Sequence, residues 1–444
     1  MKGQSLKKQA MVTAGGSALV RAMGFGLRIL LSRLLGAEAL GIMELASGVH
    51  MLALTPAAAG LPSAVSRLTA KAETEEEKQL TLYAGRSLAL GMGVWAAAAL
   101  LLLAPALSRA LGDERTLPSL LFFVPCVMTV GVSCVYDGYF LGRGRALPPA
   151  VSELAEQIVR MGVIAAFASL VGRVTPAWRA ALPAAASSFG ETVGLAVICF
   201  AAGSIPSFRR DRRLHERKRA LRKLSLPLVL NRFSHTALRS LCSVMIPLRL
   251  AAGGMQQAEA MSRLGMLNGM VMPLMLLPGL ISGALSAVGC PAIARCRTRK
   301  GESRLARKLL LAALGAGAVS MAGLYLCSPF IACRIYHLPE LTPLIRSSCF
   351  LAVLLPVQQT LSGLMTGLGL QKHSLIASLL GAGFTLLCTW LWTSRQGIQG
   401  AAFAAMAGHG LTTLWELTVW RNRSVLRGIA GEACEKNEDV LTAD

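Results

Sequence analysis

The chain has 444 residues, of which 54% are hydrophobic, and its mean hydropathy is +0.54. Soluble domains of this length are far less apolar, so the composition excludes a soluble enzyme or binding protein and predicts a polytopic membrane protein. The net charge of +22 would ordinarily suggest nucleic acid as a partner, but the distribution of the charge among the segments decides its meaning.

Apolar stretches predict about twelve transmembrane helices in an all-α fold. Most of these stretches exceed the roughly 20 residues that a helix needs to cross a bilayer, so some helices should tilt or kink. The predicted spans are about 10–35, 40–66, 80–107, 118–141, 149–171, 180–204, 225–250, 261–290, 308–331, 343–369, 374–393 and 398–420.

Lys and Arg follow the loops between these spans. With the N-terminus inside, the cytoplasmic segments hold 29 of them and the external loops hold 6. The positive-inside rule therefore predicts a multi-pass protein of the cytoplasmic membrane with both termini in the cytoplasm. Topology accounts for most of the charge, and no nucleic-acid partner is expected.

A basic segment from Ser207 to Lys223 holds nine Lys or Arg and separates the sixth span from the seventh. It predicts an N-terminal lobe over residues 1–206, a cytoplasmic linker over 207–224, a C-terminal lobe over 225–420 and a cytoplasmic tail over 421–444. A solvated linker that touches lipid headgroups is favoured over a nucleic-acid or anionic-lipid site.

The two halves carry matching features that indicate a parallel repeat of two six-helix lobes around a central cavity. An arginine pair with seven-residue spacing occurs in each half, and so does a glycine triplet whose role is expected to be helix packing. The pairs are Arg21 with Arg28 and Arg232 with Arg239; the triplets are Gly138, Gly142 and Gly144, and Gly363, Gly367 and Gly369.

Ten arginines fall within the predicted spans, and five of them lie near span ends, where they can reach water: Arg33, Arg86, Arg249, Arg263 and Arg346. The deeper five are Arg21, Arg28, Arg160, Arg232 and Arg239. A charge near the bilayer centre costs about 2.5–3.5 kcal/mol, so these side chains should line a polar cavity. Because guanidinium groups stay ionised and match phosphate oxygens, the five form the predicted site for an anionic substrate.

The alternative for these arginines is internal ion pairing without a ligand. The acids available within spans are Glu44, Asp137, Glu153, Glu156, Glu191 and Glu416. Glu156 and Arg160 are spaced i,i+4 and can pair along one helix. Secondary site candidates are Arg33, Glu44, Glu156, Asn231 and His235, although an isolated histidine in a span is more often a packing residue than a proton carrier.

Neither cofactor nor catalysis is indicated. The eleven cysteines form no CxxC, and no P-loop, metal-ligand cluster or nucleophile triad is present, so the chain is not expected to be an enzyme.

Several segments resemble the multidrug/oligosaccharidyl-lipid/polysaccharide (MOP) exporter superfamily. The likeness is strongest to its branch of lipid-linked oligosaccharide flippases, the stage V sporulation protein B and MurJ branch. The segments are LVRAMGFGLRILLSRLLGAEALG, AGLPSAVSRL, DGYFLGRGRALPPAVSELAEQIVR, IPLRLAAGG and CPAIAR.

This resemblance implies a two-lobed flippase that moves an undecaprenyl-pyrophosphate-linked precursor, such as lipid II, outward by alternating access. In such proteins, arginines of the first helix contact the diphosphate, and the motif RAMGFGLR carries that role onto Arg21 and Arg28. The implied partners are the glycolipid substrate, membrane lipids and cell-wall synthases.

The chain departs from the MurJ pattern at two points. It stops at about twelve helices rather than fourteen, and its seventh span offers Asn231 where some relatives place a sodium-binding aspartate. Coupling to Na⁺ or H⁺ is therefore left open. Two other functions are also weighed: a cation-coupled multidrug antiporter of the same superfamily, and a non-transporting scaffold for envelope or spore-cortex assembly.

Overall fold

The computed structural model describes residues 2–203, 212–294 and 298–422, in which every regular element is a helix. Side chains of residues 2–18, of Arg21 and Asn231, and of several positions between 227 and 299 lie outside the described part. Within the described ranges the α-helices are α1 (Lys2–Ala58), α2 (Leu61–Lys71), α3 (Glu75–Ala110), α4 (Leu117–Gly142), α5 (Leu147–Val171), α6 (Pro176–Ala202), α7 (Arg212–Ala252), α8 (Gln257–Leu264), α9 (Met272–Met275), α10 (Gly279–Ala294), α11 (Arg299–Phe330), α12 (Leu341–Ser348), α13 (Leu351–Gly367), α14 (Gln371–Gln396) and α15 (Ile398–Arg421).

Three shorter helical segments lie between these α-helices. A 3-10 turn (Glu114–Thr116) precedes α4, and π-helical segments occupy Gly265–Val271 and Ile331–Ile335. Seven helical stretches of the described chain are long and apolar enough to cross a membrane: Glu75–Ala110, Glu114–Gly142, Leu147–Val171, Pro176–Ala202, Lys300–Ile335, Leu341–Gly367 and Gln371–Gln396. The predicted all-α polytopic fold is confirmed.

Gly36 joins the first two predicted spans within α1. Its backbone has φ 79° and ψ 166°, a conformation that is essentially restricted to glycine. No atom lies within 4 Å of the place where a Cβ would stand. Backbone conformation, and not lack of space, therefore requires glycine at this bend.

The chain forms two compact units. The first comprises Met1–Pro273, Phe330–Leu341 and Thr393–Ile398. Its core is built from apolar side chains of α2, α3, α4, α6 and α7, including Leu61, Val65, Leu82, Tyr136, Phe140, Ile198 and Leu221. The second unit comprises Leu274–Pro329, Thr342–Trp392 and Gln399–Asp444, with a core around Ile293, Ala306, Leu364 and Leu368. The predicted lobe boundaries stay a prediction.

In the first unit, the glycine triplet packs α4 against α2 and ends α4. A Cβ on Gly138 would collide with the carbonyl oxygen of Pro62, and one on Gly142 would come within 2.6 Å of the carbonyl oxygen of Ser66. Gly144, with φ 70°, follows the helix in the positive-φ region that suits glycine.

The second triplet has the same three roles inside the second unit. A Cβ on Gly363 would lie 2.7 Å from Cβ of Ser286, and one on Gly367 would collide with the carbonyl oxygen of Cys290. Gly369 follows α13 with φ 77°. The sequence repeat is therefore also a repeat of backbone roles, with α13 packing on α10 as α4 packs on α2.

The basic segment is helical from Arg212, because it forms the first three turns of α7, while residues 207–211 lie outside the described part. Leu214 and Leu221, two turns apart, are buried in the core of the first unit. Nζ of Lys218 donates a hydrogen bond to Oγ of Ser87 at 2.7 Å. This stretch is thus anchored to the first unit.

Candidate substrate site

The bend at Gly36 brings together two oppositely charged side chains of α1. Arg28 lies eight residues before the glycine and Glu44 eight residues after it, and Nη1 of Arg28 is 3.4 Å from Oε1 of Glu44. The Arg28 side chain is 46% exposed and that of Glu44 is 17% exposed. Arg28, one of the two arginines of the first predicted pair, therefore has a carboxylate partner and still presents much of its guanidinium to the surroundings.

Arg33 binds the end of a π-helical segment that lies 300 residues further along the chain. Its Nε donates to the carbonyl oxygen of Ile335 at 2.6 Å, and its Nη2 donates to that of Arg334 at 2.9 Å. Burial raises the pKa of the neighbouring Tyr336 phenol to about 12, and the positive charge of Arg28 acts in the opposite direction. Arg28, Arg33 and Tyr336 thus belong to one local cluster in the first unit.

A second set of basic side chains forms a stripe on α7. Arg232, His235 and Arg239 are spaced i, i+3 and i+7, so they share one helix face, and all three are exposed. The charges of both arginines act on His235. In the described part of the chain, neither arginine forms an ion pair with a carboxylate.

The arm of α1 that carries Glu44 packs directly on α7. Oγ of Ser240 donates to the carbonyl oxygen of Gly48 at 3.0 Å. Gly48 is one turn, or about 6 Å, beyond Glu44 on α1, and Ser240 is the neighbour of Arg239 on α7. The Arg28–Glu44 pair and the α7 stripe are therefore carried on adjoining helices of the same unit.

The stripe continues into a polar contact that the sequence analysis missed. Nδ2 of Asn268 donates to Oγ of Ser243 at 3.3 Å, and Ser243 lies one turn beyond Arg239. Asn268 occupies the π-helical segment Gly265–Val271, and such segments occur often at functional sites. A lone asparagine within an apolar run was the available sequence signal.

Arg160 forms the intrahelical ion pair with Glu156 that the i,i+4 spacing allows. A Cβ on Gly190 would lie 2.8 Å from the carbonyl oxygen of Glu156, so α6 covers this pair closely. Nε of Arg160, Oε1 of Gln157 and Nδ1 of His50 are buried without a hydrogen-bond partner in the described part. The structure therefore places Arg160 in a polar interior of the first unit, already neutralised.

Two predicted residues cannot be placed by their side chains. Arg21 lies on α1 two turns before Arg28, and Asn231 lies on α7 next to Arg232, but both side chains fall outside the described residues. Their roles stay predictions.

The arginines assigned to span ends have other partners. Arg263 pairs with Glu259 and Glu340 at 3.3 and 3.1 Å, and Nε of Arg346 donates to Oγ of Ser328 at 3.0 Å. Two carboxylates thus neutralise Arg263, whereas Arg346 is hydrogen-bonded to a neutral hydroxyl group.

Comparison with known proteins identifies the family. A model of the family described as polysaccharide biosynthesis protein matches residues 6–297, which is more than half of the chain. The chain belongs to the polysaccharide biosynthesis protein family. Stage V sporulation protein B of Bacillus subtilis (strain 168) is 27% identical to this family member over 431 residues, which cover 93% of this chain and 83% of the relative.

Solved structures establish the fold of this polysaccharide biosynthesis family member. An inward-facing multidrug resistance MATE family transporter of the MOP superfamily matches with a TM-score of 0.72 and 17% identity, over 92% of this chain and 95% of that one. The lipid II flippase MurJ in an inward closed conformation matches with a TM-score of 0.62 and 16% identity, over 93% and 87%. The expected resemblance to the MOP superfamily is confirmed at the level of the fold, and the chain is a multi-pass membrane protein with the fold of these transporters.

Proposed function

We propose that this transporter flips a polyprenyl-diphosphate-linked saccharide, such as a lipid II-like peptidoglycan precursor, outward across the cytoplasmic membrane by alternating access. The observation that carries the proposal is the α7 stripe, in which Arg232 and Arg239 share an exposed face without a carboxylate partner in the described part. The name of one structural neighbour, the lipid II flippase MurJ, supports a substrate of this class, and so does the family description, polysaccharide biosynthesis protein.

The free-energy cost of placing charged side chains in a membrane indicates what the α7 stripe faces. α7 contains the predicted span 225–250, and two arginines of this span turned toward hydrocarbon would cost about 2.5–3.5 kcal/mol each. A water-filled cavity keeps both guanidinium groups solvated, and a diphosphate entering it accepts paired N–H donors from them. Arg232 and Arg239 are separated by about 10.5 Å along α7, so they act at two levels of the cavity.

Arg28 is the second contact in this proposal. Exposed ion pairs contribute only about 0–1 kcal/mol, so a diphosphate can displace the 3.4 Å contact between Arg28 and Glu44 at small cost. The ion pair with Glu44 would hold Arg28 in position while the cavity is empty. Binding of the diphosphate would release Arg28 from Glu44.

The charge of the substrate supplies a driving force. An inside-negative potential favours outward movement of an anion by about 2.3 kcal/mol per charge per 100 mV. Potential-driven transport therefore needs no ATP site, and an ion gradient could add to the same movement. In this proposal both termini are cytoplasmic and cell-wall synthases receive the product.

The test is complementation of a flippase-depleted strain. Arg28→Ala and Arg239→Ala should abolish growth while membrane expression stays normal. Arg109→Ala is the matched control, because that arginine is 74% exposed at the end of α3 and should be dispensable. Normal growth with both Arg28→Ala and Arg239→Ala would refute the proposed site.

The MATE-like fold supports a second candidate, a cation-coupled multidrug antiporter. Such a protein needs carboxylates that exchange an inorganic cation for an organic one, and Glu191 and Asp137 in the first unit are the available groups. Increased drug resistance on overexpression, lost in Glu191→Gln but retained in Arg239→Ala, would favour this function over the flippase.

A further inference from the structure

Glu416 lies in the second unit and has features of a ligand-binding group. It is on α15 and is 0% exposed. Oγ of Ser362 on α13 donates to Oε1 at 2.6 Å, and Oγ of Ser374 on α14 donates to the same oxygen at 2.5 Å. The other oxygen, Oε2, is buried and has no hydrogen-bond partner among the described residues.

No cation of the described chain neutralises this carboxyl group. The described charged and histidine side chains on the helices around it are Lys300, Glu302, Arg304, Arg307 and Lys308 of α11, Lys372, His373 and Arg395 of α14, and His409 and Arg421 of α15; α13 carries none. Among the described residues none of these forms an ion pair with Glu416. His409 instead shares a hydrogen bond with Gln358 through its Nδ1 at 2.7 Å.

An ionised carboxylate in this position would be poorly compensated. Burial of a charge without a counter-ion is very unfavourable, and such a group takes up a proton instead. Both serine hydroxyls act on Oε1, so they leave Oε2 without solvation. A proton on Oε2 removes the charge and turns the costly orphan acceptor into a neutral hydroxyl.

We propose that Glu416, Ser362 and Ser374 form a proton-binding site in the second unit, with the proton held on the Glu416 carboxyl group in this conformation. A bound sodium ion is disfavoured because hard cations need several oxygen ligands. Among the described residues, the two serine hydroxyl groups both contact Oε1, and no polar atom lies within hydrogen-bond distance of Oε2 to complete such a ligand set.

The site has a short route to water. α13 ends at Gly367 and α14 begins at Gln371, so the two serines belong to the two arms of one tight helical hairpin. Ser374 lies in the first turn of α14, beside exposed Gln371 and Lys372. Separation of this hairpin from α15 would admit water, ionise Glu416 and release the proton.

α15 packs closely on α14 at a point away from Glu416, and this contact can stay in place when the helices separate at the Glu416 end. At Gly381 a Cβ would lie 2.7 Å from the carbonyl oxygen of Gly408, which shows close packing of α14 on α15 about two turns from Ser374. Movement at the Glu416 end can therefore hinge on this contact. The proton site does not depend on the identity of the transported molecule.

The first experiment detects the proton chemically. Dicyclohexylcarbodiimide adds to protonated carboxyl groups in apolar sites, and peptide mass spectrometry of the purified full-length protein locates the adduct. We expect Glu416 to be labelled at neutral pH and labelling to decline in alkaline buffer. If sodium chloride, compared with choline chloride at the same pH, slows the labelling, the site binds a metal cation and the proposal is overturned.

The second experiment does not depend on reagent access. The infrared spectrum of the protein should contain a protonated carboxyl band that is absent in Glu416→Gln, whose neutral amide keeps the shape of the site. Ser362→Ala and Ser374→Ala should shift this band in frequency while Ser378→Ala, one turn further along α14, should not. Absence of both the band and the adduct at neutral pH would show that Glu416 is ionised there and would overturn the proposal, whatever substrate the transporter carries.

Discussion

Arg28 and Glu44 lie 16 residues apart on α1, yet Nη1 of Arg28 is 3.4 Å from Oε1 of Glu44. In a straight helix their Cα atoms would be about 24 Å apart, too far for the side chains to meet. The bend at Gly36 therefore makes this ion pair possible. It also places the substrate-binding candidate Arg28 opposite the arm of α1 that packs on α7.

We expect Gly36→Ala to destabilise the first unit by about 1–3 kcal/mol, because φ 79° with ψ 166° is strained for a residue with a Cβ. Gly26→Ala is the control: that glycine is helical, with open space at its Cβ position, and the change should stabilise the helix by about 0.5–1 kcal/mol. Thermal unfolding in detergent measures both. Equal stability of the two variants would show that the bend is not strained.

Glu44→Gln should strengthen binding of a diphosphate headgroup. The variant removes the carboxylate that competes for Arg28, and an exposed pair of this kind contributes about 0–1 kcal/mol, which corresponds to a gain of up to about fivefold. Calorimetric titration of purified protein with a soluble diphosphate-sugar checks this. Weaker binding in Glu44→Gln would mean that Glu44 positions Arg28 for the ligand.

Arg239→Lys should retain charge but lose the paired donors of the guanidinium. We expect an intermediate loss of flipping, between wild type and Arg239→Ala, because a lysine binds phosphate as a point charge. Arg232→Lys should behave in the same way, since both side chains lie on one exposed face. A fluorescent-lipid flipping assay in vesicles measures the rates. Identical rates for Lys and Ala variants would argue against direct phosphate contact.

The basic start of α7 should be structurally required through its leucines and not through its charges. Leu221 is fully buried in the core of the first unit, so Leu221→Ala should cost about 2–5 kcal/mol. Arg219 is exposed, and Arg219→Ala should change stability by less than about 0.5 kcal/mol. If Arg219→Ala proved as destabilising as Leu221→Ala, the charges would contribute to folding.

The glycine triplets show how far a spacing pattern can be interpreted. Their equal spacing predicted a repeat, and the structure shows that Gly144 and Gly369 each follow a helix with positive φ. The packing role also agrees with the prediction, since Gly142 and Gly367 each approach a backbone carbonyl of a neighbouring helix. The partner helices themselves could not be predicted, because spacing along one helix does not specify what packs against it.

The contacts of the arginines were also only partly predictable from the sequence. The i,i+4 spacing correctly indicated the Glu156–Arg160 pair, since both residues lie on one helix. The contact of Arg33 with the carbonyl oxygen of Ile335, 302 residues further along the chain, had no local signal. Neither did the two hydroxyl groups that converge on Glu416 from α13 and α14.

The sequence by itself determined the membrane class, the all-helical fold and the helix face on which each arginine lies, because hydropathy and helical periodicity are local properties of the chain. Only the tertiary structure decided which charges are compensated. Arg28 has Glu44 across the bend of α1, and Arg232 and Arg239 have no carboxylate partner in the described part. Compensation depends on distances between side chains of different helices or helix arms, and these distances are set by bends such as Gly36 and by helix packing.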